Sequence, residues 1–167
     1  MALRLTSTLN EMLNDTGRIA FCGPTVVSAI TGTPVSKIEE EIWRTRGKPR
    51  FADNDSQVTG TDDKEVRAAL AAFGYEMVPH QDFTMLERKA RPTLGQWMMK
   101  PRNAWVHHVI GLHKGKIGHW VVVKGVMLCD TYSGGKWQFV VDGPHKGARL
   151  MDVHIARKPS ARQWARG

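Results

Sequence analysis

The sequence predicts an α+β fold, with helices in its first half and an antiparallel β-sheet in its second half. Helix-start signals recur up to about residue 100, whereas short runs of β-branched residues separated by turn residues dominate afterwards. The length of 167 residues and the hydrophobic content of 41% suit one globular unit with a buried core. We therefore expect a single domain, 1–167, with a helical part at about 1–100, a strand-rich part at about 101–157 and a basic tail at 158–167.

The helices are predicted from their capping residues, taken in order. Pro24 is expected to be the first residue of a helix, because Pro suits that position. Residues 36–39 form a capping-box pattern that opens a second helix. After the longest expected loop, 47–60, Thr61 is expected to cap a third helix, with acidic residues in its first turn. A further capping box at 93–96 predicts a short fourth helix.

The second half alternates apolar runs with turn residues. Besides a short strand near 75–78, strands are expected over 104–112, 119–124, 126–131, 137–142 and 149–156. Lys124 and Gly125 are expected to be the two central residues of a hairpin turn. In that register His119 faces Asp130, and directly opposed side chains have Cβ atoms about 4.5–5.5 Å apart. The alternative is a surface pair of little energetic value, and a one-residue slip would separate the two side chains.

Cys22 is the candidate nucleophile of this chain. It stands just ahead of Pro24 in Phe-Cys-Gly-Pro-Thr, at the predicted start of a helix. The positive end of a helix favours a thiolate over a thiol. The alternative is a packed core cysteine, since free Cys is among the most buried residue types.

Cys22, His119 and Asp130 together have the chemistry of a nucleophile, a base and an orienting acid. The segments 21–32, 118–125 and 128–130 resemble those of the papain-like cysteine peptidase superfamily. The likeness is to its small members, which are similar to the double-glycine leader peptidases and related bacterial and phage proteins. It implies N-terminal helices, with the nucleophile at a helix N-terminus, packed on a C-terminal antiparallel sheet. It also implies a peptidase or amidase that acts on a peptide or amide substrate, host proteins included, through an acyl-enzyme.

One feature of that family is missing from this chain. Papain-like enzymes usually carry a glutamine several residues before the nucleophile, which helps to bind the oxyanion, and no Gln precedes Gln57 here. Asn14 or Thr16 is the expected replacement donor, together with the backbone N–H of Cys22. Because loss of one oxyanion donor costs about 10²–10³ in turnover, three outcomes stay open: a slow enzyme, a substituted donor, or lost catalysis.

Composition bears on partners and location. The net charge of +8 predicts weak affinity for polyanions, but no nucleic-acid-binding motif accompanies it. No apolar stretch is long enough for a membrane helix or a signal peptide. Two cysteines are too few for a disulfide scaffold, which favours a reduced, cytoplasmic protein. The oligomeric state is not predicted.

Three alternatives compete with hydrolysis. A metal site could use Cys22, His119 and Asp130 with His107 or His108, but the close ligand pairs typical of zinc sites are missing, so no metal or other cofactor is expected. Acyl transfer to an amine would use the same three residues as hydrolysis. A catalytically weak or inactive papain-like effector that captures a host or polyanionic partner is the alternative from a different functional class.

Overall fold

Helices occupy most of the first half of the chain and strands most of the second. The computed structural model describes residues 9–47, 57–115 and 117–160. The α-helices of this part are α1 (Cys22–Thr31), α2 (Val35–Thr45), α3 (Asp63–Ala72) and α4 (Leu94–Met98). The strands are β1 (Glu76–Asp82), β2 (His107–Lys114), β3 (Ile117–Lys124), β4 (Met127–Cys129), β5 (Gln138–Phe139) and β6 (Arg149–Arg157). The predicted α+β class is confirmed.

The six strands form one antiparallel sheet in the order β1-β6-β2-β3-β4-β5. At its centre, Ile110 of β2 lies opposite Val121 of β3 on one side and opposite Val153 of β6 on the other. β1 pairs with β6, so the predominantly helical half also supplies an edge strand.

Both faces of the sheet are covered, which explains its long apolar runs. Successive residues of a strand point to opposite faces. Trp120 and Val122 of β3 pack with the apolar residues of α1, α2 and α3. Val121 and Val123 pack on the other face with Leu94 and Trp97 of α4 and its surroundings. β3 is therefore buried through most of its length.

α1 and α3 begin at residues other than those expected. α1 begins at Cys22, two residues before Pro24. Pro24 loses no hydrogen bond there, because the first N–H groups of a helix have no intrahelical acceptor. The cap of α3 is Asp62, which accepts from the Glu65 N–H at 2.8 Å, so the expected cap at Thr61 is wrong. Asp62 is the cap because the carboxylate of Glu65, three residues later, accepts a hydrogen bond from the Asp62 N–H at 3.0 Å.

The capping box expected at 36–39 is also wrong, because a distant residue replaces it. α2 begins at Val35, and the Ser36 N–H donates to Asp15 Oδ1 at 2.9 Å. The Ser36 hydroxyl donates to the other Asp15 oxygen at 2.5 Å. The local box at 93–96 does form: the Gln96 N–H donates to Thr93 Oγ1 at 3.2 Å, and Gln96 Oε1 accepts from the Thr93 N–H at 2.9 Å.

The hairpin between β3 and β4 turns one residue later than expected. Val123 pairs with Leu128, and Lys124 pairs with Met127, so Gly125 and not Lys124 is the first central residue of the turn. Gly125 has φ +61°, which a glycine adopts without strain and a lysine does not. The predicted register is therefore wrong by two residues. A shift of two leaves every side chain on its predicted face.

Other element limits differ by a few residues. The strand expected over 104–112 begins at His107, and the one expected over 137–142 is short and gives way to a 3₁₀ turn at Val140–Asp142. Residues 48–56 of the expected loop, and the tail from 161, lie outside the described residues. Within the described part of the chain, no helix has the length and apolar character that crossing a membrane requires.

Candidate active site

Cys22 stands at the N-terminal end of α1, where the helix meets the sheet. It is the first residue of α1 and is half-buried. The backbone N–H groups of Gly23 and Trp120 donate hydrogen bonds to its sulfur. Cys129 is a free thiol buried on the helix-covered face of the sheet, and Cys22 is free as well. The helix end and two N–H donors therefore converge on the sulfur of Cys22.

His119 and Asp130 meet just beyond the end of β4. The pairing of β3 with β4 stops at Val122 and Cys129, so the earlier part of β3 lies open to the start of α1. His119 Nε2 lies 2.7 Å from Asp130 Oδ2, and the His119 ring also interacts with the thiol of Cys22, which raises the pKa of the ring. Because a carboxylate only accepts, Nε2 carries a proton and Nδ1 is the ring nitrogen left for Cys22. A two-residue register shift did not prevent this meeting, because it preserved the face of each side chain.

The hydrogen bonds of the site favour its charged forms. Burial disfavours the thiolate, but hydrogen bonds from His119 and the Trp120 N–H outweigh it and hold the pKa of Cys22 below the usual 9.0. Burial also disfavours the imidazolium, yet the bonds to Asp130 and Cys22 raise the pKa of His119 to about 9. Burial disfavours the Asp130 carboxylate too, but hydrogen bonds from His119 and His145 outweigh it and hold the pKa of Asp130 well below its usual range. At neutral pH these directions favour a thiolate–imidazolium pair.

The chain has no significant match among protein-family models, curated proteins or solved structures. Its function is therefore argued from the geometry and chemistry of the site.

Sequence reasoning missed His145, a fourth polar residue at the site. Its Nε2 lies 2.6 Å from Asp130 Oδ2, the oxygen that also bonds to His119. The other oxygen, Oδ1, accepts from the Ser133 N–H at 2.9 Å. No motif or spacing in the sequence links His145 to Asp130. Only the return of the chain towards β6 brings it there.

A cleft of about 710 Å³ opens beside Cys22 and His119. Its walls come from the start of α1, the segment before α3, and the ends of β2, β3 and β6. One end carries three acidic residues, Asp62, Asp63 and Asp152. Burial and the neighbouring Asp63 carboxylate raise the pKa of Asp152. Access to the sulfur is therefore through a cleft that is partly apolar and partly acidic.

The wall that carries Thr61 packs closely on α1. A Cβ placed on Gly23 would lie 2.1 Å from Thr61 Oγ1 and 2.8 Å from Thr61 Cβ. The indole N–H of Trp120 holds the same wall by donating to the Thr61 carbonyl at 3.0 Å. Glycine is thus required after Cys22 for this wall to approach.

Asn14 and Thr16, the expected oxyanion donors, bond within their own turn. The Asn14 side-chain amide donates to the Arg18 carbonyl at 2.6 Å, and the Thr16 hydroxyl donates to Asn14 Oδ1 at 2.7 Å. Neither residue is among those that line the cleft. The backbone N–H of Cys22 is then the donor that remains from the predicted set.

The remaining histidines lie away from Cys22. Adjacent His107 and His108 point to opposite faces of β2, and both are buried, because helices and loops cover both faces. Burial lowers the pKa of each to about 4, so both are neutral at pH 7. His154 is also buried and lies 3.1 Å from Asp63.

Within the described residues, His119, Asp130 and His145 form the cluster whose donor types could hold a metal ion. The two nitrogen–oxygen distances in it are 2.7 and 2.6 Å, which are hydrogen-bond lengths. Two ligands of one tetrahedral zinc ion, each about 2.0–2.1 Å from it, lie more than about 3 Å apart. The cluster therefore has the geometry of a hydrogen-bonded network.

Proposed function

We propose that this protein is a cysteine-dependent hydrolase of the peptidase or amidase type. Cys22 is the nucleophile, His119 the general base and acid, and Asp130 the residue that orients His119. The observation that supports this proposal is the 2.7 Å hydrogen bond between His119 and the buried Asp130, beside a cleft that Cys22 and His119 line together. A helix-borne cysteine packed against an antiparallel sheet that carries the histidine resembles the arrangement of papain-like peptidases.

The proposed reaction proceeds in two stages. The Cys22 thiolate attacks the substrate carbonyl carbon, a carbon–sulfur bond forms, and the carbonyl electrons move to the oxygen. As that intermediate collapses, the carbon–nitrogen bond breaks, and His119 gives its Nδ1 proton to the leaving amine. Water then attacks the thioester carbon while His119 takes a proton from the water, and a carbon–oxygen bond forms. The carbon–sulfur bond breaks next, and its electron pair returns to the sulfur of Cys22. The acid product leaves, and the thiolate–imidazolium pair is restored.

The expected rate is low for an enzyme of this class. The N–H of Cys22 belongs to the first turn of α1, where backbone N–H groups have no intrahelical acceptor and can bind an oxyanion. Asn14 and Thr16, whose hydrogen bonds lie within their own turn, do not supply the second donor. Lack of one such donor costs about 10²–10³ in turnover.

An acyl-enzyme experiment tests the proposal without knowledge of the natural substrate. The protein is incubated with an activated aryl ester and a degenerate peptide mixture, quenched in acid, and analysed by intact-mass and peptide mass spectrometry. We expect a thioester on Cys22 and slow peptide cleavage, both abolished in Cys22→Ala and retained in Cys129→Ser. A folded protein that forms no thioester on Cys22 and cleaves no peptide would contradict the proposal.

One observation favours the alternative of a catalytically weak or inactive effector. The side chains of Asn14 and Thr16 are engaged away from the cleft. The acidic end of the cleft disfavours a polyanion as its occupant, so a captured partner there would be a protein. If Cys22 of a folded sample formed no thioester, this alternative would be favoured over the hydrolase.

A further inference from the structure

We propose that His145 is a positioning residue of this site: by donating to the Asp130 oxygen that holds His119 Nε2–H, it limits how strongly Asp130 stabilises the His119 imidazolium. The inference rests on the proposed function for its catalytic meaning, but its evidence is geometric. His145 and His119 approach the same oxygen at 2.6 and 2.7 Å.

His145 cannot act by touching a substrate. It is 2% exposed and is not among the residues that line the cleft. Its ring centre lies 5.0 Å from that of His119, with a tilt of 40° between the two planes. Asp130 lies between the two rings as their shared acceptor, so any effect of His145 on the reaction passes through Asp130 and His119.

The fold holds His145 in place from a separate segment. The turn that contains it runs from the 3₁₀ turn Val140–Asp142 to β6, and its carbonyl accepts from the Ala148 N–H at 2.9 Å. The start of α4 binds the same turn. The Gly95 N–H donates to the Lys146 carbonyl at 2.8 Å, and the Leu94 N–H donates to the Ala148 carbonyl at 2.9 Å. A side chain so anchored can hold the Asp130 carboxylate in one orientation.

Other titratable groups surround the two rings. Tyr132 packs edge-on against both His119 and His145, with ring centres 5.1 Å apart in each case, and Lys114 of β2 lies 3.4 Å from the centre of the Tyr132 ring. Cys22 faces His119 from α1. Tyr132 covers the pair from the cleft side, which limits the access of water to Asp130.

The shared oxygen explains why a second histidine matters. Since a carboxylate only accepts, both rings must carry a proton on Nε2. Each hydrogen bond to an anionic oxygen stabilises the anion and weakens its attraction for the other proton. Without the His145 donor, Asp130 would hold the His119 imidazolium more strongly. His119 would then give up its proton to a leaving amine less readily, which would slow the first stage of the reaction.

Substitutions at position 145 test this role. His145→Phe keeps a ring in the space and removes the donor, whereas His145→Gln keeps a side-chain N–H at a similar position. The control is His80→Phe, because His80 is exposed and lies on β1, away from the site. The titration of His119 is followed by NMR of ¹⁵N-labelled imidazoles, and thermal melting reports the folded state of each variant.

We expect the His119 titration, at about pH 9 in the unsubstituted protein, to move upwards in His145→Phe. A shift of about one pH unit corresponds to the loss of one hydrogen bond to a charged group. His145→Gln should restore most of the original value, and His80→Phe should not change it. An unchanged or lowered titration in folded His145→Phe would overturn the inference.

A measurement on the unsubstituted protein keeps the test decisive if His145→Phe does not fold. The ¹⁵N shifts should show the Nε2–H tautomer at His145 and a proton on Nε2 of His119. A proton found on Nδ1 of His145 with Nε2 bare would overturn the inference. None of these readouts uses a substrate: loss of the hydrolase proposal would appear as absent turnover, and loss of this inference as an unshifted His119.

Discussion

The two cysteines of this chain should differ in reactivity at neutral pH by more than an order of magnitude. Burial raises the pKa of Cys129 to about 12, whereas that of Cys22 lies below 9.0. At pH 7 the thiolate fraction of Cys22 is thus at least about 10³ times that of Cys129. Nucleophilicity falls with thiol pKa at a slope of about 0.4–0.5, so the net ratio of alkylation rates is at least about 30.

His119→Ala should remove much of this difference. The hydrogen bond from His119 is the largest contribution that lowers the pKa of Cys22, and burial opposes it. Without His119, the pKa of Cys22 should rise, and its alkylation at pH 7 should slow by about tenfold or more. In the unsubstituted protein, alkylation of Cys22 should begin at a lower pH than that of an ordinary thiol and change again near pH 9, where His119 loses its proton.

Iodoacetamide labelling followed by peptide mass spectrometry measures both sites in one sample, and Cys129 serves as the internal reference. Rates are collected from pH 5 to pH 10, with circular dichroism to confirm the fold of His119→Ala. Equal rates at the two cysteines of the folded protein, or a Cys22 rate that His119→Ala leaves unchanged, would refute the reasoning.

Three further predictions concern packing, orientation and a buried charge. Gly23→Ala should lower the free energy of unfolding by about 1–2 kcal/mol, because the new Cβ would overlap Thr61 and the gain in helix propensity only partly compensates; urea denaturation measures this. Asp130→Asn should slow turnover by about 10⁴-fold but slow the alkylation of Cys22 far less, because orientation and tautomer matter most in the transition state; the two rates are compared directly. Arg18→Leu should cost at least about 2 kcal/mol in the same denaturation assay, because the Glu39 carboxylate, 1% exposed, loses its ion-pair partner at 3.1 Å.

The chain provides matched controls for the two stability predictions. A Cβ on Gly147 would meet no atom within 4 Å, so Gly147→Ala should change stability by less than about 0.5 kcal/mol. Lys37 forms an exposed ion pair with Glu40 at 3.6 Å, so Lys37→Ala should change the stability by a similarly small amount. If Gly23→Ala were as stable as Gly147→Ala, the segment at Thr61 would move aside at no cost, which would contradict the prediction. For Asp130→Asn, equal losses of turnover and alkylation would contradict an orienting role.

Local signals in the sequence predicted local structure well. The capping box of Thr93 and Gln96 forms as expected, because both partners lie within one helical turn. The alternation of β3 places its side chains on the expected faces. Each of these features depends on residues a few positions apart, so the chain needs no tertiary contact to specify them.

Errors arose where a distant residue replaced a local partner, or where two adjacent residues competed for one position. Asp15 bonds Ser36 from 21 residues away, and no pattern around Ser36 announces it. Gly125, and not Lys124, is the first central residue of the hairpin turn, because a positive φ is less strained for glycine than for lysine. The meeting of His119 with Asp130 survived that error because the shift was even.

The sequence by itself determined the α+β class, a helix that starts close to Pro24, and the faces on which His119 and Asp130 lie, because these follow from the preference of proline for a helix start and from turn and alternation rules that act within short segments. Only the tertiary structure decided the rest. It brought His145 to the Asp130 oxygen, engaged Asn14 and Thr16 in hydrogen bonds within their own turn, and assembled the hydrogen bonds that outweigh burial and shift three pKa values. Such shifts depend on the sum of contacts from separate segments, which no one stretch of residues encodes.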